Sequence, residues 1–518
     1  MSHGGRRGAG LRTAVALMAI LLTLVLSAGA AWAADDVQRG GTLIIGVDQE
    51  AIGLDPNIVT SFSSHRRVEL LYNRLVRYDS EANIVGDLAY AWEYLDPTRV
   101  VFRLRQGVKF HNGRELTAED VKYTIERILD PATGSPARSF LEPIEEVVVV
   151  DDYTVELRLR EPVASLLDAL AHTNTSIVPR EEVERHGDLQ RTAVGTGPFR
   201  LERWVPDQEM VLTRNPDYFV EGLPYLDQII IRVIPDQMSL LAGLRTGSLH
   251  AAAISEGTVL QAAMADRNLN VLSVPSLNLR TYGFNTTRPP FNDARVRKAI
   301  ALAIDRAALI RAAEFGLGQA SAPLPSSAAY WAAPLDQLPN YTPDLDRARE
   351  LLREAGVPEN FQFNIVTSPS YEGGLAVAQV IQAQLRRIGL NPQLEVVEWG
   401  IYIDRWVNRD FDSMVELRGG GADPDRFLYR LIHSQGAVNN FLYGHPEVDR
   451  LLEEGRRLTD PEERRAVYFE VQKLLAEEAP YIALYTPLST MVTSQDVQGL
   501  KLVPNGSFRY FEETWLRR

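Results

Sequence analysis

The alternation of apolar and polar residues is clearest between residues 361 and 417. Short apolar runs that indicate buried strands alternate with segments of helical spacing, in the order strand 361–367, helix 375–388, strand 394–399, helix 401–408 and strand 411–417. Such alternation predicts an α/β fold with a parallel sheet covered by helices. Ligands of these sheets bind beyond the carboxyl ends of the strands. We therefore expect half of a ligand cleft at Thr367, Trp399 and residues 418–421.

The last of these strands runs into Arg418-Gly419-Gly420-Gly421. Three consecutive glycines allow a ligand to approach the bare backbone. Arg418 could pair with a ligand carboxylate or be a solvated surface arginine. Asp423, just before Pro424, is interpreted as the cap of the next helix rather than as a ligand contact.

Aromatic residues cluster around the helix 401–408. Trp399 and Trp406 flank it, and Tyr485 returns late in the chain. Aromatic side chains at strand ends can line a ligand pocket or fill an ordinary core, and both interpretations remain open for Trp399. A single long helix is also predicted at 294–312, where apolar residues form one stripe.

The chain begins like an exported protein. A basic start, an apolar run from Ala14 to Leu26 and the small-x-small site Ala31-Trp32-Ala33 predict a cleavable signal peptide, residues 1–33. The absence of cysteine rules out disulfides, thiolate metal sites and a lipid-modified cysteine. We therefore expect a protein free in a bacterial periplasm.

Composition narrows the function further. A chain of 518 residues needs two or more domains, and its net charge of −14 argues against nucleic acid as a partner. The sequence contains no HExxH, P-loop or Gly-x-Ser-x-Gly motif, and its histidines are scattered. We predict no catalytic residue, no metal site and no cofactor.

Several motifs, in order along nearly the whole mature chain, resemble the family 5 extracellular solute-binding proteins, the peptide- and nickel-binding components of ABC importers. These motifs are LDP at 54–56, FRLRQGVKFHNGRELTAEDVKYTIERI at 102–128, GTGPFRL at 195–201, RNPDYF at 214–219, YGFNTTRPPFNDARVRKAIALAIDR at 282–306 and YGHPEVDRLLEEGR at 443–456.

The resemblance implies a two-lobe periplasmic-binding-protein type II fold with an extra N-terminal subdomain and a ligand cleft between the lobes. The implied ranges are the signal peptide 1–33, lobe I at 34–60, 181–280 and 489–518, the extra subdomain at 61–180, and lobe II at 281–488. Ligand binding would close the lobes, and the closed form would dock on permease subunits in the inner membrane.

The resemblance also implies ligand contacts, some by backbone pairing with an extended peptide. The matching positions are Glu50, Ala51, Ile52, Trp399, Ile403, Trp406, Leu417, Arg418, Gly419, Asn439 or Asn440, and Tyr485. Peptide binders of the family carry an aspartate that pairs with the peptide's amino terminus. Here that place falls on Gly420 or Gly421, and Asp423 follows later, which favours an anionic or blocked ligand.

The leading hypothesis is therefore a monomeric, non-catalytic periplasmic protein that delivers a peptide or peptide-like solute to an ABC transporter. Alternatives are a binder of a metal chelate, an opine or an oligosaccharide, and an exported hydrolase on a similar scaffold.

Overall fold

The computed structural model describes Met1 and residues 37–368, 373–419, 421–436 and 438–518. The predicted signal peptide, apart from Met1, and Gly420 lie outside this part. The strands, in chain order, are β1 Thr42–Val47, β2 Val76–Tyr78, β3 Ile84–Gly86, β4 Ala89–Asp96, β5 Arg99–Leu104, β6 Ile144–Asp151, β7 Thr154–Leu159, β8 Phe199–Val205, β9 Glu209–Arg214, β10 Gln228–Val233, β11 Ala251–Ala252, β12 Leu269–Pro275, β13 Asn278–Phe284, β14 Gly318–Ala320, β15 Phe361–Thr367, β16 Leu390–Val396, β17 Ser413–Gly419, β18 Tyr481–Ser494, β19 Val497–Gln498 and β20 Trp515–Leu516.

Helices alternate with many of these strands along the chain. In chain order they are α1 Phe62–Leu71, α2 Ala118–Leu129, α3 Arg138–Leu141, α4 Leu166–Leu170, α5 Arg180–His186, α6 Gln237–Thr246, α7 Gly257–Met264, α8 Ala294–Ala303, α9 Arg306–Ala313, α10 Leu345–Glu354, α11 Gly374–Arg386, α12 Trp399–Asn408, α13 Pro424–Ile432, α14 Pro446–Arg457 and α15 Pro461–Glu478. None of the helices in the described ranges is long and apolar enough to cross a membrane.

The alternating pattern of residues 361–417 forms the predicted parallel arrangement. β15 pairs in parallel with β16 along its whole length and with β17 at two positions, and α11 connects β15 to β16. The predicted strand 394–399 ends earlier, at Val396. The Glu398 carboxylate accepts a hydrogen bond from the Gly400 amide at 3.1 Å and so caps α12, which makes Trp399 the first helical residue.

The single helix predicted for 294–312 is wrong, because the structure has two helices there, α8 and α9. Asp305 separates the two helices. Its carboxylate accepts a hydrogen bond from the Ala308 amide at 2.8 Å, which starts a new helix with its own cap. The apolar stripe is continuous across the break, so periodicity alone could not show it.

Three bodies each have their own buried core. In lobe I, residues of β1, β9 and β10 pack with residues from the end of the chain, among them Met491 and Phe511. The subdomain core is formed by residues between Leu75 and Ile177 around the four-stranded sheet β4-β5-β7-β6. In lobe II, residues of β13, β15 and α11 pack with the first half of β18. The exact domain ranges stay predictions.

The long strand β18 connects the two lobes. Its first half pairs with β13 of lobe II, and its second half, from Leu488, pairs with β12 of lobe I. The chain crosses in the other direction between β12 and β13, where the Ser276 amide donates to the Pro487 carbonyl at 2.9 Å. Two adjacent antiparallel segments therefore join the lobes.

Candidate ligand-binding site

Helix α12 exposes most of its apolar surface. Tyr402 is its buried residue, whereas Trp399 is 40% exposed and Ile403 is 36% exposed. The rings of Trp399 and Tyr402 stack with centroids 5.4 Å apart. Exposed apolar surface of this kind marks a place where a ligand or partner binds.

A pocket of about 270 Å³ lies between α12 and α13, over the end of β17. We call it the helix pocket. It brings together six of the residues predicted from sequence, namely Trp399, Ile403, Trp406, Leu417, Arg418 and Gly419. Trp399, Ile403 and Trp406 are four and three residues apart, which places them on one face of the helix.

Arg418 is neither solvated nor free. It is buried, and its guanidinium forms an ion pair with Glu416 at 2.6 Å and a hydrogen bond with the Asn440 amide oxygen. The Asn440 amide nitrogen donates to the other Glu416 oxygen at 2.7 Å. The interpretation of Arg418 as a solvated surface residue is therefore wrong. Its pairing with a ligand carboxylate stays a prediction, and Glu416 would compete with that carboxylate.

The two edges of β17 differ in how far they pair with other strands. β13 pairs with it along its full length, whereas β15 pairs with it only at Ser413 and Met414. Among the described strands, none pairs with that second edge beyond Met414. Gly419, at the end of this edge, is exposed. An extended chain could add here as a further strand.

Asp423 caps α13, as the sequence predicted. Its carboxylate accepts a hydrogen bond from the Asp425 amide at 2.9 Å. The sequence did not reveal its second role, a bidentate ion pair with Arg464 at 2.5 and 2.7 Å in a buried environment. Burial lowers the pKa of Arg464, but the Asp423 carboxylate outweighs this and raises it above the ordinary value.

A larger pocket, of about 850 Å³, lies where the subdomain meets lobe II. We call it the bridging pocket. Residues within 78–97 and 163–168 line one side, and residues within 327–331, 422–423 and 459–464 line the other. Asp423 is the one predicted site residue in its wall.

Asp168 of the subdomain joins the two bodies. Its carboxylate forms an ion pair with Arg426 of α13 at 2.6 Å and accepts a hydrogen bond from the Tyr78 hydroxyl. Burial raises the pKa of Asp168, and Arg426 opposes that rise. A Cβ at Gly421 would lie 2.7 Å from this carboxylate, so the glycine makes room for Asp168.

The N-terminal candidates line neither of these pockets. The Glu50 carboxylate accepts a hydrogen bond from the Asp207 amide at 2.7 Å, and Ala51 is buried. Ile52 is 63% exposed and therefore accessible. Their contacts with a ligand stay predictions.

The remaining candidates are buried and also lie outside both pocket walls. Thr367 is at the end of β15, and the Tyr485 hydroxyl donates to the Glu314 carboxylate within the core of lobe II. The Asn439 amide donates to the carbonyls of His433 and Tyr443 and so holds a loop together. Asn440, through Arg418, is the asparagine connected to the helix pocket.

A profile described as "Bacterial extracellular solute-binding proteins, family 5 Middle" matches residues 83–439. The chain belongs to this family. The resemblance found in the sequence is thereby confirmed, and so is the two-lobe type II fold, which solved structures of related proteins share.

This family 5 protein is similar to curated relatives over nearly its full length. It is 27% identical to the oligopeptide-binding protein AppA of Bacillus subtilis, with 98% of this chain and 99% of that protein covered. It is 31% identical to the probable di/tripeptide-binding protein 5 of Pseudomonas aeruginosa, covering 86% and 90%.

Among solved structures, the DppA protein of Helicobacter pylori in complex with the peptide STSA has a TM-score of 0.79 and 28% identity, covering 93% of this chain and 99% of that one. The structure of Bacillus subtilis AppA with a nonapeptide has a TM-score of 0.78 and 26% identity, covering 93% and 100%. The fold is thus shared with structures that hold peptides.

Sequence reasoning missed several residues of this solute-binding protein's site. Arg426 and Arg430 follow Asp423-Pro424 and are four residues apart, so helical spacing could have placed both on one face of α13. Asp168 is 258 residues from Arg426, and no local pattern connects them.

Proposed function

We propose that this protein is the periplasmic binding component of an ABC importer and carries a peptide or peptide-like solute. It would work as a soluble monomer without a lipid anchor and deliver its ligand to permease subunits in the inner membrane. The relatives reported above are named for peptides, which favours a peptide over a metal chelate, an opine or an oligosaccharide.

The helix pocket at the end of β17 carries this proposal. A peptide that lies along the end of this strand could place one side chain between Trp399 and Trp406. Main-chain hydrogen bonds would then give affinity, and the pocket would give specificity. Glu50 to Ile52 of lobe I would contact the ligand from the other side of the cleft.

Closure would bring the subdomain and lobe II together around the bound solute. The ion pair between Asp168 and Arg426 and the hydrogen bond from Ser165 to Asp425 at 3.0 Å join the two bodies, so closure would form them and opening would break them. A ligand that binds between the bodies stabilises this arrangement because it interacts with both of them.

Native mass spectrometry of the protein, purified without refolding, tests the proposal. We expect an added mass that disappears on denaturation and fragments as a peptide. If the cleft is empty, a peptide library should raise the melting temperature, since a ligand that binds only the folded state stabilises it. Release of a sugar or chelate, or no shift with any peptide, would contradict the proposal.

The strand-addition geometry has its own test. Successive N-methylation of a bound peptide removes one backbone donor at a time without changing its side chains. Affinity should fall at alternate positions, because successive residues of a strand point their backbone groups to opposite edges. A uniform tolerance of N-methylation would leave peptide binding intact but rule out pairing with β17.

A further inference from the structure

The helix pocket has an excess of positive charge although the whole chain is acidic. Arg418, Arg426 and Arg430 line it, with Glu416 as the one acidic residue of its wall. The net charge of the chain is −14, so a cation-rich pocket is not a consequence of overall composition. The partners of these three arginines decide what the pocket attracts.

Two of the arginines already have ion-pair partners. Arg418 pairs with Glu416 at 2.6 Å, and Arg426 pairs with Asp168 of the subdomain at 2.6 Å. These charges are neutralised within the protein. A ligand anion would have to compete with both carboxylates for them.

Arg430 differs from its two neighbours. Among the described residues, its guanidinium has no ion-pair or hydrogen-bond partner, and its contact is with the ring of Phe140, 5.5 Å away. Partial desolvation, and then the nearby charge of Arg426, lower the pKa of Arg430. The surroundings therefore disfavour the charged form of Arg430, and a bound anion would favour that form again.

We propose that Arg430 recognises a carboxylate of the ligand at the helix pocket. This rests on the proposed function and deepens it by naming the ligand class, a peptide or peptide-like solute with an acidic group. A guanidinium presents paired N–H donors that match the two oxygens of a carboxylate. Trp399 and Trp406 would hold the apolar part of the same group.

The carboxylate could come from an acidic side chain or from a free carboxyl terminus, since both have the same chemistry. The pocket, at about 270 Å³, accommodates a single such group rather than a long segment. The two sources differ in what abolishes binding. Replacement of glutamate by glutamine removes the first, and amidation of the carboxyl terminus removes the second.

Arg430 could also act only on its own helix. It lies in the last turn of α13, where a positive charge stabilises the helix through the backbone dipoles. In that role, Arg430 would change the stability of the protein by the same amount whichever ligand is bound. A selective effect on acidic ligands is therefore the readout that separates recognition from helix stabilisation.

The experiment uses the full mature protein and a library of tri- to pentapeptides. Across the library, each peptide position in turn carries glutamate or glutamine. Each peptide is made with a free and with an amidated carboxyl terminus. We expect the wild type to bind one acidic form about tenfold or more tightly than its amide, as for a charge-assisted hydrogen bond. Arg430→Gln should reduce this ratio to below about twofold, and Arg430→Lys should restore part of it.

A matched control is Arg457→Gln, which changes an exposed arginine outside both pocket walls. It should leave the ratio unchanged, and the melting temperatures of all variants show that they are folded. If no peptide binds the wild type, the proposed function fails. If peptides bind without preferring the acid, or if the preference survives Arg430→Gln, this inference fails and the proposed function stands.

Discussion

The helix pocket is built within one lobe, whereas the bridging pocket exists only where two bodies meet. All residues that line the first lie between Trp399 and Val438 of lobe II. The second takes one wall from the subdomain and the other from lobe II. Opening of the lobes would keep the residues of the helix pocket together, although Arg426 and Arg430 would lose their contacts with the subdomain, and it would divide the bridging pocket. Under the proposed function, the helix pocket would serve mainly ligand recognition and the bridging pocket would serve closure.

The contacts around the pockets differ in the same way. Glu416, Arg418 and Asn440 satisfy one another within lobe II, so the floor of the helix pocket is organised before a ligand arrives. Asp168 and Arg426 satisfy each other only across the contact between the bodies. Substitutions in the first group should change affinity or stability, and substitutions in the second should change the balance between open and closed forms.

The largest effect is expected within the lobe II wall of the bridging pocket. Arg464→Met leaves the buried Asp423 carboxylate without its partner. Removal of one member of a buried ion pair costs about 3–5 kcal/mol of unfolding free energy. Guanidinium denaturation of the ligand-free protein measures this loss of unfolding free energy.

The control is Arg450→Met, which breaks exposed pairs with Glu447 and Glu454 and should cost less than about 1 kcal/mol. Equal losses for the two variants would show that the Asp423–Arg464 pair does not hold this wall in place. Lobe II would then not supply a fixed wall to the bridging pocket, and its contrast with the movable subdomain wall would not hold.

A second prediction concerns Asp425, which faces Ser165 of the subdomain. Burial raises the pKa of Asp425 from 3.8 to about 6, with Arg456 opposing the rise. The folded state then holds its proton over a range where the unfolded state has lost it. Stability should therefore fall as the pH rises from about 4 to about 6, by up to about 3 kcal/mol, and stay reduced above that range.

Asp425→Asn removes this titration, so the difference in unfolding free energy between the variant and the wild type should grow with pH between 4 and 6. The comparison with the variant is needed because other buried carboxylates change the unfolding free energy with pH in the opposite direction. Burial would raise the pKa of Glu69, but Arg74 outweighs it and lowers the pKa to about 2. A constant difference across this range would contradict the assignment.

Trp399 tests the helix pocket itself. Trp399→Ala removes half-exposed apolar surface that a ligand would cover, so ligand affinity should fall by about 2 kcal/mol, as for an aromatic anchor. Calorimetry with the peptide identified by native mass spectrometry measures the loss. Stability should change little because the side chain is 40% exposed.

Ile401→Ala is the matched control, since Ile401 is exposed on the same helix and outside the pocket wall. An equal loss for both variants would mean that α12 contributes through its general apolar surface rather than through the pocket.

The sequence predicted the helix pocket better than the bridging pocket, for a physical reason. Strand order placed Trp399 and residues 418–421 at the carboxyl ends of neighbouring strands, and the family resemblance added Ile403 and Trp406 on the same helix face as Trp399. The contact of Asp168 with Arg426 depends on how two separately packed bodies meet. Burial patterns describe each body's own core and contain no information about that contact.

The interpretation of Arg418 as solvated failed for a different reason. Glu416 lies two residues before Arg418, and side chains two apart in a strand lie on one face. A signal for the Glu416–Arg418 pair was therefore present in the sequence. The contribution of Asn440, 22 residues further along the chain, required the structure.

The smallest effect is expected for the contact that joins the bodies. Asp168→Asn keeps the shape of the side chain and removes the charge that faces Arg426. Hydrogen bonds to charged groups contribute about 1.5–3 kcal/mol, and we expect the lower end because burial already raises the pKa of Asp168. The affinity for the identified peptide should fall about tenfold. Small-angle scattering should show a larger radius of gyration for the ligand-free variant than for the wild type.

Glu81→Gln is the control for this prediction, because Glu81 lies in the same subdomain wall and forms no ion pair among the described residues. It should change neither affinity nor scattering. Trp399→Ala should weaken binding without changing the scattering of the ligand-free protein. If Asp168→Asn gives that same pattern, Asp168 contributes to ligand recognition rather than to closure, and the bridging pocket is not a marker of the closed form.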